Sequence, residues 1–241
     1  MFCIGSCRSC YCFNIENYPN DFIHSTKEVL QLLQLKNKNI TYTDELRLIN
    51  RNFSNQNRLN YETNRIYEKI SNADVIIIEI SSIKTVFNNK SNMFYNYDLY
   101  SNVINKDNLK NNKKSLYKLY RSKNIRNNSV VEKQSKHQIQ DDLDKIYNYL
   151  VNELNKKIIL IPNINATFID DNNIKYQLPN RILLCDTLEE FSNKQNIFYF
   201  NPMKYLIDDP SKIFNNGDGC HYSKESSEII TKSLHEFINA I

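Results

Sequence analysis

The sequence predicts an α/β fold: a three-layer sandwich with about five parallel strands in its middle layer. Three observations predict it. Short apolar runs recur along the 241 residues, and amphipathic stretches separate them. The strongest run, Asp74 to Ile80 (DVIIIEI), is nearly all β-branched, as suits a central parallel strand covered on both faces. Regular alternation of strand and helix patterns is the signature of a parallel sheet with helices on its faces.

The elements follow in chain order. Residues 2–5 read as a short buried strand ending at a Gly turn. The segment from His24 to Leu35 (HSTKEVLQLLQL) has helical apolar spacing at Val29, Leu30, Leu32, Leu33 and Leu35, with Ser25 or Thr26 as the cap. Residues 39–43 (NITYT) suggest a brief strand, and a helix is expected around 60–72. After the central strand, regularity is lost from Lys84 to Lys136. It returns at Asp141 to Asn155, where acids open an amphipathic helix carrying Leu143, Ile146, Tyr147, Leu150, Val151 and Leu154. Lys157 to Pro162 (KIILIP) is another buried strand. A helix over Arg181 to Phe191, a strand over Ile197 to Phe200 and a last helix over Ser223 to Ala240 complete the pattern. The whole chain reads as one domain, residues 1–241, with residues 84–136 inserted in it.

Composition narrows the function classes. The chain is 41% hydrophobic, enough for a core, and has no stretch of 18 apolar residues, so no membrane span is expected. The N-terminus lacks a basic segment ahead of its apolar run, which excludes a secretory signal of the usual form. Reduced thiols in a cytoplasm-like compartment follow, that of the host if the protein is viral. Asn makes up roughly one residue in six, which reads as the coding bias of an AT-rich genome. The 84–136 segment holds 12 Lys or Arg against 3 acids, about +9, so the rest of the chain is net acidic. The plain reading of this segment is a partly helical, solvated insertion. Its sharper reading is a polyanion surface with Tyr95, Tyr97, Tyr100, Tyr117 and Tyr120 for stacking, the one route by which nucleic acid would be a partner. The oligomeric state is not written in the sequence.

The two ends carry the chemistry. Gly5-Ser6-Cys7-Arg8 lies just past the first strand, and ligands of open parallel sheets sit beyond the carboxyl ends of strands. A nucleophile on such a turn is exposed, beside backbone N–H groups that stabilise an oxyanion. At the far end, residues 215–230 (NNGDGCHYSKESSEII) place Asp218 and His221 on a Gly-containing loop before the last helix. Asp-x-x-His lets a carboxylate orient an imidazole that serves as general base. Cys7 is the candidate nucleophile, since a thiol beside a cationic Arg8, an imidazolium and N–H groups is readily ionised. Ser6, Arg8 and His24 are weaker candidates for binding the substrate or oxyanion. The four clustered cysteines do not form a zinc site, because structural zinc takes two separated ligand pairs and no second pair exists. No metal is expected.

These blocks resemble the SGNH, or GDSL-like, hydrolase superfamily, in which a nucleophile follows the first strand and an Asp-x-x-His near the C-terminus completes a triad. The resemblance is closer to the subgroup carrying Gly-x-Cys, the GSCFA-like and WcbI-type polysaccharide-biosynthesis proteins. HSTKEVLQLL and EISSIK are similar to that subgroup too. The resemblance implies a flavodoxin-like SGNH fold and an acyltransferase moving an acyl group, acetyl in the first instance, from coenzyme A to a sugar or polysaccharide hydroxyl. Coenzyme A or an acyl-CoA would be a co-substrate, with no cofactor tightly bound. The superfamily draws a Gly and an Asn into its oxyanion hole. Here no Gly lies between Gly5 and Gly217, and Ser81 and Ser82 stand where the Asn is expected. Two alternatives stay open: an esterase or thioesterase using water, and a non-catalytic polyanion-binding protein.

Overall fold

The structure, a computed structural model, describes residues 1–6, 13, 23–38, 40–104, 119, 123–215 and 221–241, the side chains of 102, 123 and 124 excepted. In chain order the elements are β1 (Phe2–Ile4), α1 (Thr26–Gln34), α2 (Gln56–Asn72), β2 (Val75–Ile80), β3 (Lys84–Asn88) and β4 (Met93–Tyr95). There follow α3 (Tyr97–Ile104), α4 (Lys123–Asn128), β5 (Ser129–Lys133), α5 (Lys136–Tyr147), β6 (Lys157–Pro162), β7 (Phe168–Ile169) and β8 (Lys175–Tyr176). The chain ends with α6 (Pro179–Gln195), β9 (Phe198–Tyr199), α7 (Pro210–Ile213) and α8 (Lys224–Asn239). The fold is of the α/β class, with a parallel sheet flanked by helices. The chain divides into two compact units: Met1–Phe22, Ala73–Ser82 and Tyr147–Ile241 form the first, Ile23–Asn72 and Ile83–Ile146 the second.

In the first unit β1, β2, β6 and β9 make a four-stranded parallel sheet in that order. The register runs Ile4↔Ile78 between β1 and β2, and Ile77↔Ile159 and Ile80↔Pro162 between β2 and β6. β2 and β6 are buried along nearly their whole length, as continuous apolar runs predict. Cys3, Ile77, Ile159, Ile161 and Phe200 form one cluster with Ile230 and Leu234 of α8. Cys3 is thus core. α6 begins at Pro179, whose fixed φ suits a first helical turn, and ends at Asn196 in the left-handed conformation. Ser223 caps α8 by accepting from the Ser226 N–H.

Four parallel strands are described where the sequence suggested about five. The missing partner is the run at 39–43. Its described residues, 40–43, pair with no strand, because the side chain of Gln56 takes their backbone groups: it accepts from Tyr42 N–H at 2.7 Å and donates to the Ile40 carbonyl at 3.2 Å. A 3-10 turn over Asp44–Leu48 follows directly.

The second unit holds α1 to α5 with an antiparallel sheet ordered β4-β3-β5. That sheet occupies the stretch in which the sequence shows no clear period. β5 is exposed at four of its five residues, so its pattern carries no buried face to read. Buried Asp142 of α5 gathers Thr26 Oγ1 (2.9 Å), Lys27 Nζ (2.7 Å) and Gln134 Nε2 (2.9 Å), binding α1 and the end of β5 to α5.

Candidate active site

The site is built at the carboxyl edge of the parallel sheet. β1 leaves its ladder after Ile4, and Ser6 follows, 1% exposed. Its backbone N–H donates to Glu79 Oε2 at 2.9 Å and its hydroxyl donates to the same oxygen at 2.7 Å. Glu79 is the penultimate residue of β2, also 1% exposed. Both Ser6 donors are therefore engaged by one carboxylate. Two positions on, Ser81 and Ser82 are half-buried. The Ser81 carbonyl accepts from Asn163 Nδ2 at 2.9 Å, across the ends of β2 and β6. Asn163 is 6% exposed, and its Oδ1 is buried without a hydrogen-bond partner among the described residues.

His221 belongs to a pinned stem. Phe214 bridges Tyr222 in antiparallel fashion, Asn215 N–H donates to the His221 carbonyl at 2.7 Å, and Ser223 N–H donates to the Ile213 carbonyl at 2.8 Å. The His221 side chain is exposed. Phe214 and Tyr222 join the same cluster as Ile164 and Ala166, on the segment leaving the carboxyl end of β6. Phe214 stacks on Phe168 with centroids 6.2 Å apart. Arg181 ties the arrangement from α6: its guanidinium donates to the Ile164 carbonyl at 2.9 Å and lies 5.8 Å from the Phe214 ring centre. The stem that carries His221 is thereby packed against the segment leaving the carboxyl end of β6.

Cys7, Arg8 and Asp218 lie outside the described residues. Among the sequence candidates, Ser6, Ser81, Ser82 and His221 belong to the first unit, and His24 belongs to the second. His24 Nε2 is 3.1 Å from Asp98 Oδ2 there, and its N–H donates to Glu28 Oε2 at 3.2 Å. Cys185 donates to the Asn163 carbonyl at 3.3 Å. Burial, then Asp186 and Glu189, push its thiol up to about 12, which keeps it protonated and inert. No group of three or more metal-ligating side chains occurs among the described residues.

Glu79 and Asn163 are not among the candidates that the sequence singled out. Both left a signal. Glu79 is the one acid within an otherwise apolar strand, and Asn163 is the first polar residue after KIILIP. A polar residue placed where a buried strand ends is placed at the ligand edge of such a sheet.

Fold and edge together define an α/β protein in which Ser6, Glu79 and Asn163 stand at the carboxyl ends of parallel strands. The chain belongs to the TviD N-terminal domain family, whose model matches residues 2–237. No curated protein matches it. Among solved structures it is similar to the native aryl esterase of M. smegmatis, at 8% identity and a TM-score of 0.44, over 99% of this chain and 97% of that one. It is also similar to a carbohydrate acetylesterase from Sinorhizobium meliloti, at 10% identity and a TM-score of 0.42, with the same coverage.

Proposed function

We propose that this chain is an acyl-transfer enzyme acting on carbohydrate, with Cys7 as nucleophile, His221 as general base and Asp218 orienting His221. The observation that carries the reading is the edge geometry. Ser6, just before Cys7, follows the carboxyl end of β1, and the stem bearing His221 packs against the segment leaving the carboxyl end of β6, a strand of the same parallel sheet; this supports the order nucleophile early and imidazole late. In the proposed reaction His221 takes the Cys7 proton and the sulfur attacks the acyl carbonyl of a thioester donor such as acetyl-coenzyme A. The oxyanion is held by N–H donors of the strand-end turn, that of Cys7 first. Its collapse breaks the donor C–S bond, and the departing thiolate takes the proton from His221. A sugar hydroxyl, deprotonated by His221, then attacks the Cys7 thioester, giving a sugar ester and restoring the thiol. Water in place of the sugar gives hydrolysis on the same groups.

The test is release of free coenzyme A from acetyl-coenzyme A by purified protein, with and without candidate sugars. Sugar-dependent release that disappears in Cys7→Ala is the expected result. Sugar-independent release that disappears in Cys7→Ala assigns hydrolysis instead. Release that persists at full rate in Cys7→Ala removes Cys7 from the reaction.

A further inference from the structure

The reaction above gives Glu79 no task, yet its burial is costly. Enclosing a carboxylate is unfavourable unless its lone pairs are well used, and an apolar residue of similar size often fills such a place at least as stably. The rest of β2 is apolar apart from this residue. What Glu79 adds is specific. The β1–β2 ladder ends at Ile4↔Ile78, so Ser6 N–H has lost its strand partner. Glu79 Oε2 replaces that partner and takes the Ser6 hydroxyl as well, at 2.9 and 2.7 Å. One acceptor-only oxygen thus fixes both the backbone and the rotamer of Ser6. It also leaves neither Ser6 donor for a substrate. We infer that Glu79 is a positioning residue: by clamping Ser6 it fixes the backbone immediately ahead of the proposed nucleophile, Cys7.

The inference rests on the reading of Cys7 as nucleophile, so the experiment separates the two. Full-length wild type, Glu79→Gln, Ser6→Ala, the double variant and Cys7→Ala are compared with p-nitrophenyl acetate as acyl donor. Thermal unfolding is recorded alongside. Alkylation by iodoacetamide is followed at Cys7 by peptide mass spectrometry, with Cys185, inert while the protein is folded, as the control for unfolding. Glu79→Gln and Ser6→Ala each lower kcat by about tenfold or more at nearly constant KM, the scale expected of a misplaced reacting group. Both slow alkylation at Cys7 and leave Cys185 unchanged, and the double variant is no slower than the slower single one. Wild-type kcat and Cys7 alkylation in both single variants overturn the inference, whatever happens to the melting temperature. So do losses that multiply in the double variant. If Glu79→Gln fails to fold, Ser6→Ala, which removes one oxygen, decides by the same criteria. If Cys7→Ala retains full turnover, the nucleophile reading falls. Alkylation at Cys7 then decides for Glu79: slowed supports the clamp, unchanged overturns it.

Discussion

Glu28 lies in the first turn of α1, where a carboxylate ordinarily gains from the helix N-terminus. Desolvation wins at this site. Burial pushes its carboxyl up to about 7, although the nearby His24 ring, the His24 N–H and the Ser25 hydroxyl all pull it down, and Asp98 adds to the rise. The folded-state value exceeds the ordinary value of 4.5, so the folded protein holds this proton more tightly than the unfolded chain. Its contribution is therefore complete below 4.5 and is lost as pH rises through about 7. The difference is on the order of 3 kcal/mol. Urea unfolding at about pH 5 and about pH 8 checks this: wild type loses more stability over that interval than Glu28→Gln does. Asparagine explains another residue-scale feature. With three glycines in the chain, turns that need a positive φ fall to Asn, as at Asn173 (φ 61) and Asn196 (φ 53).

Elements are joined in two different ways, and each predicts its own cost. In the first unit the joint is apolar. Ile159 pairs with Ile77 on one side and Phe198 on the other, and is fully buried. Ile159→Ala costs about 2–5 kcal/mol, read from the urea midpoint. In the second unit the joint is polar. Asp142 is fully buried, and its removal takes an acceptor from Lys27, Thr26 and Gln134 together. Asp142→Ala costs about 3 kcal/mol, with Lys27 partly solvated and so not at the upper limit. Asp142→Asn, which keeps one acceptor oxygen, costs less in the same measurement. Helices α1, α2, α5, α6 and α8 and the apolar strands were legible because burial on one face or both writes a period into the sequence. The β4-β3-β5 sheet was not: exposed β5 has no buried face, and two of the three buried positions of β3 are polar, Thr85 and Asn88.

At the scale of the whole molecule, charge is segregated along the chain. The 84–136 segment is strongly basic and the remainder is net acidic. Retention on a polyanion resin such as heparin should follow that segment, falling steeply between about 50 and 200 mM salt as counterion release predicts. Cys7→Ala elutes at the same salt as wild type, because the candidate chemistry and the basic segment occupy separate stretches of chain. No helix among the described residues is long and apolar enough to cross a membrane.

By itself the sequence determined the α/β class and the parallel strands, read at 2–5, 74–80 and 157–162, and it suggested two short blocks for the proposed nucleophile and base. Those properties are local: they depend on period, propensity and residue type within a few positions. Tertiary structure alone decided what Ser6, Glu79 and Asn163 touch, and that residues 40–43 stay out of the sheet. Ser6 and Glu79 are 73 positions apart and meet only because β1 and β2 lie side by side in one register. A hydrogen bond of that kind depends on strand order, which no local pattern encodes.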